Sequence, residues 1–133
     1  MPIQSERKTF KVFVVEDEPL IAMMVADALE AVGCEVVGPA SRLDEAMEMA
    51  SSRDLDCAIL DINIRGHQVY PVADILLARG TPMLLASGYG DWTLPERLQG
   101  QRRLEKPYSL EEIEAEIRLL CARVSSEAQP QLS

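Results

Sequence analysis

Dense apolar runs alternate with amphipathic stretches along this chain. FKVFVV (10–15) is β-branched and aromatic, which predicts a strand. In PLIAMMVADALEAV (19–32), Ile21, Val25, Ala28 and Val32 recur every three or four residues, the period of a helix. Pro19 suits a first helical position and Gly33 a stop. CEVVG (34–38) reads as a short strand ending at Gly38-Pro39. Ser41 and Asp44 form a capping pair for a second helix marked by Leu43, Met47 and Ala50. DCAILDI (56–62) predicts a third strand, apolar up to Asp61, with a loop opening at Gly66. VYPVADILLA (69–78) reads as a third helix, with Pro71 near its start and Gly80 past its end, and MLLAS (83–87) as a fourth strand. The segment 87–101 holds Gly88, Gly90, Gly100 and Pro95, so any helix in it is short. RRLE (102–105) predicts a brief fifth strand. Ser109 and Glu112 make a capping box for a last helix, whose apolar stripe is Leu110, Ile113, Ile117, Leu120 and Val124.

Strand and helix alternating about five times with short connections require a parallel sheet with right-handed crossovers. The fold expected is α/β, a doubly wound five-stranded parallel sheet of order 2-1-3-4-5 with helices on both faces. Strands that stay apolar without alternation agree, because both of their faces are buried. The domain is expected over 10–124, between a flexible N-terminus (1–9) and a disordered polar tail (125–133).

Composition narrows the class. At 133 residues the chain is long enough for one domain with a real core. A net charge of −9 disfavours direct binding to nucleic acid. No apolar run approaches the length of a membrane span, and MPIQSERKTF lacks the apolar core of a signal peptide, so a cytoplasmic protein without membrane insertion is expected. The cysteines Cys34, Cys57 and Cys121 lie far apart in sequence, among apolar residues and without a CxxC neighbour. They read as buried or half-buried reduced thiols rather than zinc ligands.

The chemistry gathers where strands end. An open parallel sheet binds ligands beyond the carboxyl ends of its strands, where the strand order reverses. The first strand delivers Glu16, Asp17 and Glu18, the third Asp61 and Asn63, the fourth Ser87 and Gly88, and the fifth Lys106 and Pro107. The second offers only Gly38 and Pro39, and in the order 2-1-3-4-5 it lies outside the reversal. Carboxylates about 4 Å apart repel by roughly 4 kcal/mol at an effective dielectric of 20. Asp17, Asp61 and Glu16 in one pocket therefore call for a proton or a cation, and hard oxygen ligands suit Mg²⁺. With the Lys106 ammonium and the Ser87 hydroxyl, the set suits making and breaking an aspartyl phosphate. The plainer alternatives are acids favoured by a helix N-terminus, which suffices for Glu18, and turn residues at Asp61 and Ser87.

These motifs resemble the response-regulator receiver domains of bacterial two-component signalling, over roughly residues 10–124. Glu16 and Asp17 match the acidic pair, Asp61 in AILDINI the phosphorylated aspartate, Ser87 in LLASGYG the Thr/Ser that reports phosphorylation, and Lys106-Pro107 in EKPYS the lysine with its usually cis proline. The resemblance implies that Asp17, Asp61 and the Asn63 backbone carbonyl bind Mg²⁺, with Glu16 acting mostly through water. It implies that Asp61 takes a phosphoryl group from a phosphohistidine and that Ser87 and Lys106 then bond to its oxygens. It also implies a sensor histidine kinase or histidine phosphotransfer protein as partner, and a further downstream protein, since no output domain follows residue 124.

Departures from the pattern are informative. Arg65 stands where a proline is common, and Arg103 occupies the usual position of an aromatic switch residue, three before the lysine. LLASGYG instead looks like the signature of the FAT-GUY receivers, a mostly stand-alone subgroup, which makes Tyr89 a candidate switch residue. Asn63 and Tyr89, each two positions after a site residue, are candidates for tuning phosphoryl lifetime. Arg102, Arg103 and the irregular 88–101 segment lie on the face through which receivers commonly signal. His67 and Trp92 read as surface or packing residues. Two other functions compete: a receiver that binds a partner without phosphorylation, and a Mg²⁺-dependent phosphatase of the haloacid-dehalogenase type. The order of the acids and the absence of a cap disfavour the phosphatase.

Overall fold

A computed structural model describes residues 9–88 and 94–128. The elements are β1 (Lys11–Val15), α1 (Pro19–Val32), β2 (Glu35–Ala40), α2 (Leu43–Ser52), β3 (Cys57–Asp61), β4 (Asn63–Ile64), β5 (His67–Gln68), α3 (Tyr70–Ala78), β6 (Met83–Ser87), a 3₁₀ turn (Glu96–Leu98), β7 (Arg102–Glu105) and α4 (Leu110–Ala128).

Five strands pair in parallel in the order β2-β1-β3-β6-β7, the order expected for the first to fifth strands. The register levels their carboxyl ends: Val15 faces Leu60, Asp61 faces Ala86, and Ser87 faces Glu105. Every residue of β3 and β6 is buried, as strands covered on both faces require. On one face Phe13, Val15, Leu60 and Leu85 pack with residues of α2, α3 and Leu98 of the 3₁₀ turn. On the other, Val12, Val14, Ile59 and Leu84 pack with residues of α1 and α4. Each large apolar side chain buried this way contributes about 1.5–3 kcal/mol. Among the described residues no helix is long and apolar enough to cross a membrane.

α1 starts at Pro19 and ends at Gly33, whose amide bonds to the Glu30 carbonyl while the Cys34 amide bonds to that of Leu29. The α4 capping box also forms: the Glu112 amide donates to Ser109 Oγ at 3.1 Å and the Ser109 amide to Glu112 Oε1 at 2.8 Å.

Four local expectations need correction. First, β2 does not stop at Gly38-Pro39 but runs through that cis peptide to Ala40. Phe13 pairs with Val37 and Val15 with Ala40, so Gly38 and Pro39 together oppose Val14 as a bulge. Gly38 has φ +103, and a Cβ there would lie 2.9 Å from the Val14 carbonyl oxygen and from the Ala40 nitrogen, so only glycine fits. Second, Ser41 does not cap α2. Arg42 holds the N-cap position, and the Ser41 amide instead donates to Glu45 Oε1 at 3.2 Å. Third, the loop expected at Gly66 is a hairpin of β4 and β5, with Asn63 paired to Gln68 and Ile64 to His67. Its turn residues Arg65 and Gly66 both have positive φ, 51° and 83°, as a two-residue turn that follows strand twist demands. Fourth, α4 continues to Ala128, so 125–128 are helical rather than the start of a disordered tail. The polar sequence there ends the buried stripe but not the backbone hydrogen bonding.

Candidate functional site

The level strand ends bring together the acids that the sequence singled out. Glu16 follows β1, and its amide donates to the carbonyl of Ala40 at 3.0 Å. Its side chain turns inward and is 3% exposed. Asp61 closes β3 and is 5% exposed. One carboxylate oxygen from each of Glu16, Asp17 and Asp61 lies within 4.8 Å of the other two.

Lys106 follows β7. Its amide donates to the Ser87 carbonyl at 2.8 Å, and its peptide bond to Pro107 is cis. Its ammonium reaches Asp61 Oδ2 at 2.8 Å, and Glu16 Oε1 and Oε2 at 3.2 and 3.4 Å. The Asn63 amide donates to the other Asp61 oxygen at 3.2 Å. The Glu18 amide donates to Glu16 Oε2 at 3.1 Å. Each buried carboxylate is thus anchored by one backbone amide and by the same lysine.

Electrostatics follow from this packing. Burial, then the Asp61 charge, push Glu16 up to about 7, against the pull of the Glu18 amide and Lys106. Burial pulls the Lys106 ammonium down, but its bond to Asp61 and the charges of Asp61 and Glu16 outweigh burial and hold it above the ordinary lysine value. Burial, then the Glu16 charge, push the neighbouring Tyr108 phenol up to about 12, which keeps it neutral. Three carboxyl groups share this pocket with one ammonium. Within 4.8 Å, two ionised carboxylates repel by at least about 3.5 kcal/mol at an effective dielectric of 20. The oxygen set fits a hard divalent cation.

Above these groups lies an open cleft of about 230 Å³, lined by Asp17, Asp61, Asn63, Arg65, Gly88 and Lys106 among others. Ser87 ends β6 beside Asp61 and is 3% exposed. Arg103 lies elsewhere. Arg102 and Leu104 flank it in β7 and turn toward α4, where Arg102 binds both carboxylate oxygens of Glu116 at 2.7 and 2.9 Å. Strand alternation therefore directs the exposed Arg103 to the opposite face. Tyr89 and Trp92 lie outside the described residues. His67 is exposed in β5, as expected of a surface histidine.

Two contributors fall outside the residues expected at the site. The Arg65 amide, at the tip of the β4–β5 hairpin, donates to Asp17 Oδ2 at 2.9 Å, while Arg65 Nε bonds to the Ser41 carbonyl at 2.9 Å. The hairpin thereby holds the most exposed acid of the cluster, and the Asn63 side chain braces its turn by accepting from the Gly66 amide at 2.9 Å. A two-residue turn ending in Gly66 was the available signal. Tyr108 has no local signature, because its burial depends on tertiary packing.

The model of the response regulator receiver domain matches residues 12–118. The chain belongs to this family. A Mycobacterium tuberculosis relative, "Transcriptional regulatory protein PdtaR", is 30% identical over 117 residues, which are 85% of this chain and 57% of that protein, so the chain spans little more than half the length of that curated relative. Among solved structures, SdrG from Sphingomonas melonis Fr1 is 34% identical with a TM-score of 0.74, covering 85% of this chain and 97% of that one. The BeF3-activated conformation of SdrG from Pseudomonas melonis Fr1 is 33% identical with a TM-score of 0.69, covering 86% and 98%. Receiver domains bind Mg²⁺ at an acidic pocket, and Glu16, Asp17 and Asp61 form such a cluster in this receiver.

Proposed function

We propose that this receiver accepts a phosphoryl group on Asp61 from a phosphohistidine of a sensor kinase or a histidine phosphotransfer protein. The observation that carries the proposal is the buried Asp61 carboxylate, oriented by Lys106 at 2.8 Å inside a three-acid cluster that opens on a cleft. An Asp61 oxygen attacks phosphorus, the P–N bond breaks, and the electron pair returns to the imidazole. Lys106 fixes the carboxylate before transfer and then stays near the phosphoryl oxygens as a positive charge. Ser87, at the end of the next strand, supplies a hydroxyl donor to those oxygens. Asp17, Asp61, Asn63 and Glu16 would hold Mg²⁺, which when bound neutralises the excess acid charge and the charge of the incoming phosphoryl group. Glu16 also contributes through its direct pair with Lys106, beyond the water-mediated role first expected of it. The related SdrG has a BeF3-activated conformation, and trifluoroberyllate mimics a phosphoryl group, which supports the same chemistry here.

The phosphorylated state would act on a downstream protein rather than turn over an external substrate. Incubation with acetyl phosphate and Mg²⁺, followed by intact-mass measurement, tests the proposal. A gain of one phosphoryl group that is lost in Asp61→Asn and on Mg²⁺ chelation is the expected result. Absence of that gain, together with no response to beryllofluoride, would replace it with a receiver that binds its partner without phosphorylation.

A further inference from the structure

The fold gathers three thiols that lie far apart in the sequence. Cys34 follows the α1 stop, Cys57 opens β3, and Cys121 lies on α4. Cys34 Sγ and Cys121 Sγ are 3.6 Å apart, in van der Waals contact, across 87 residues of sequence. Cys57 is fully buried beside them, Cys34 is nearly so, and Cys121 is the half-exposed member. The cluster lies at the amino end of the sheet. Four residue steps along β3 lead from Cys57 to Asp61, about 13 Å of strand, so no step of the proposed phosphoryl chemistry uses these thiols.

We propose that Cys121 and Cys34 form an oxidisable pair, a modification site at which hydroperoxides close a disulfide between α4 and the turn joining α1 to β2. Access and contact assign the roles. Cys121 is reachable from solvent and reacts first, and Cys34, buried against it, resolves the product. Hydrogen bonding from the Cys57 thiol, and then from Cys34, pulls Cys121 below the ordinary thiol range, against burial and the smaller opposing effect of Asp56. Burial pushes Cys34 up, so it remains a thiol.

The Cys121 thiolate attacks one peroxide oxygen, the O–O bond breaks, and the second oxygen leaves as water or alcohol after taking a proton. Cys121 becomes a sulfenic acid. The Cys34 sulfur then attacks the Cys121 sulfur, the S–O bond breaks, and the hydroxide leaves as water with the Cys34 proton. Two thiols lose two electrons in all and one hydroperoxide gains them. Closure requires the sulfurs to approach from 3.6 Å to about 2 Å, a small adjustment of side chains already in contact.

The test treats the folded, reduced chain with hydrogen peroxide, blocks the remaining thiols by alkylation, and maps the peptides by mass. The expected product is a Cys34–Cys121 link, a loss of about 2 Da that dithiothreitol reverses. In Cys34→Ser the link is absent and a dimedone adduct accumulates on Cys121, a readout that a misfolded variant would spread over all its thiols. Cys121→Ser removes both products. The proposal is overturned if the folded chain stays fully reduced under peroxide that links the urea-unfolded chain, or if the link maps to Cys57 instead of Cys34.

Discussion

Glu16 is buried beside the Asp61 charge, which the shared Lys106 only partly offsets. Its raised value means that the folded chain holds the Glu16 proton at pH values where the unfolded chain has lost it. The stability from this group is fully present below about 4.5 and is lost as pH rises through about 7. The span is worth on the order of 3 kcal/mol. In chelator-treated protein, the urea midpoint is expected to fall between pH 5 and pH 8, and Glu16→Gln is expected to flatten that fall. Lys106 contributes no slope there, because a raised ammonium stays charged throughout the window. Lys106→Met leaves Asp61 and Glu16 facing each other without their shared cation. It is expected to cost about 3 kcal/mol in metal-free urea melts and to slow acetyl phosphate uptake at least tenfold. A variant with unchanged uptake would reduce the lysine to a structural counter-charge.

At the scale of elements, the glycines give the sharpest contrast. Gly66 has positive φ but open space around it, so Gly66→Ala is expected to cost about 1 kcal/mol. Gly38 has positive φ and no room, so Gly38→Ala is expected to cost more than about 2 kcal/mol. Equal losses in urea denaturation would show that the bulge yields to a methyl group. Ser109→Ala removes the α4 cap and is expected to cost about 1 kcal/mol by the same measurement. Much of this level was legible. The period of Ile21, Val25, Ala28 and Val32 bounded α1 because Pro19 and Gly33 end it chemically. The acids were legible because each breaks an apolar run at a strand end, and Lys106 because Pro107 and the Ser109–Glu112 capping box follow it. What escaped was set by distant contacts or by very short elements. Two-residue strands such as β4 have no period to read. Gly38-Pro39 looks locally like a stop, and only pairing with Val14 makes it a bulge. Ser41 looks locally like the cap of α2, but its amide is taken by Glu45 and Arg42 holds the cap position. The meeting of Cys34 with Cys121 depends on how α4 packs and has no local signature.

For the molecule as a whole, the excess acid charge couples ion binding to folding. An ion that binds the native chain alone adds stability by mass action, about 2.7 kcal/mol at one hundred times its dissociation constant. Thermal melts are therefore expected to rise with Mg²⁺, to return on chelation, and to lose this response in Asp17→Asn. The two sheet faces carry different parts of the site. One packs α1 and α4, whose amino ends follow the Asp17 and Lys106 segments, and the other packs α2 and α3. The edge strand β2 supplies no side chain to the cleft, yet the bulge carries the Ala40 carbonyl to the amide of Glu16. That makes its length a gauge. Inserting one residue at 38–39 would carry Ala40 past Val15 and withdraw the support under an acid on the neighbouring strand, whereas losing one would leave a single residue opposite Val14 and Ala40 in place. A change of length at the exposed 53–54 connection would leave the cleft untouched. Added length at the bulge, like a side chain at Gly38, is what this outlying strand does not tolerate.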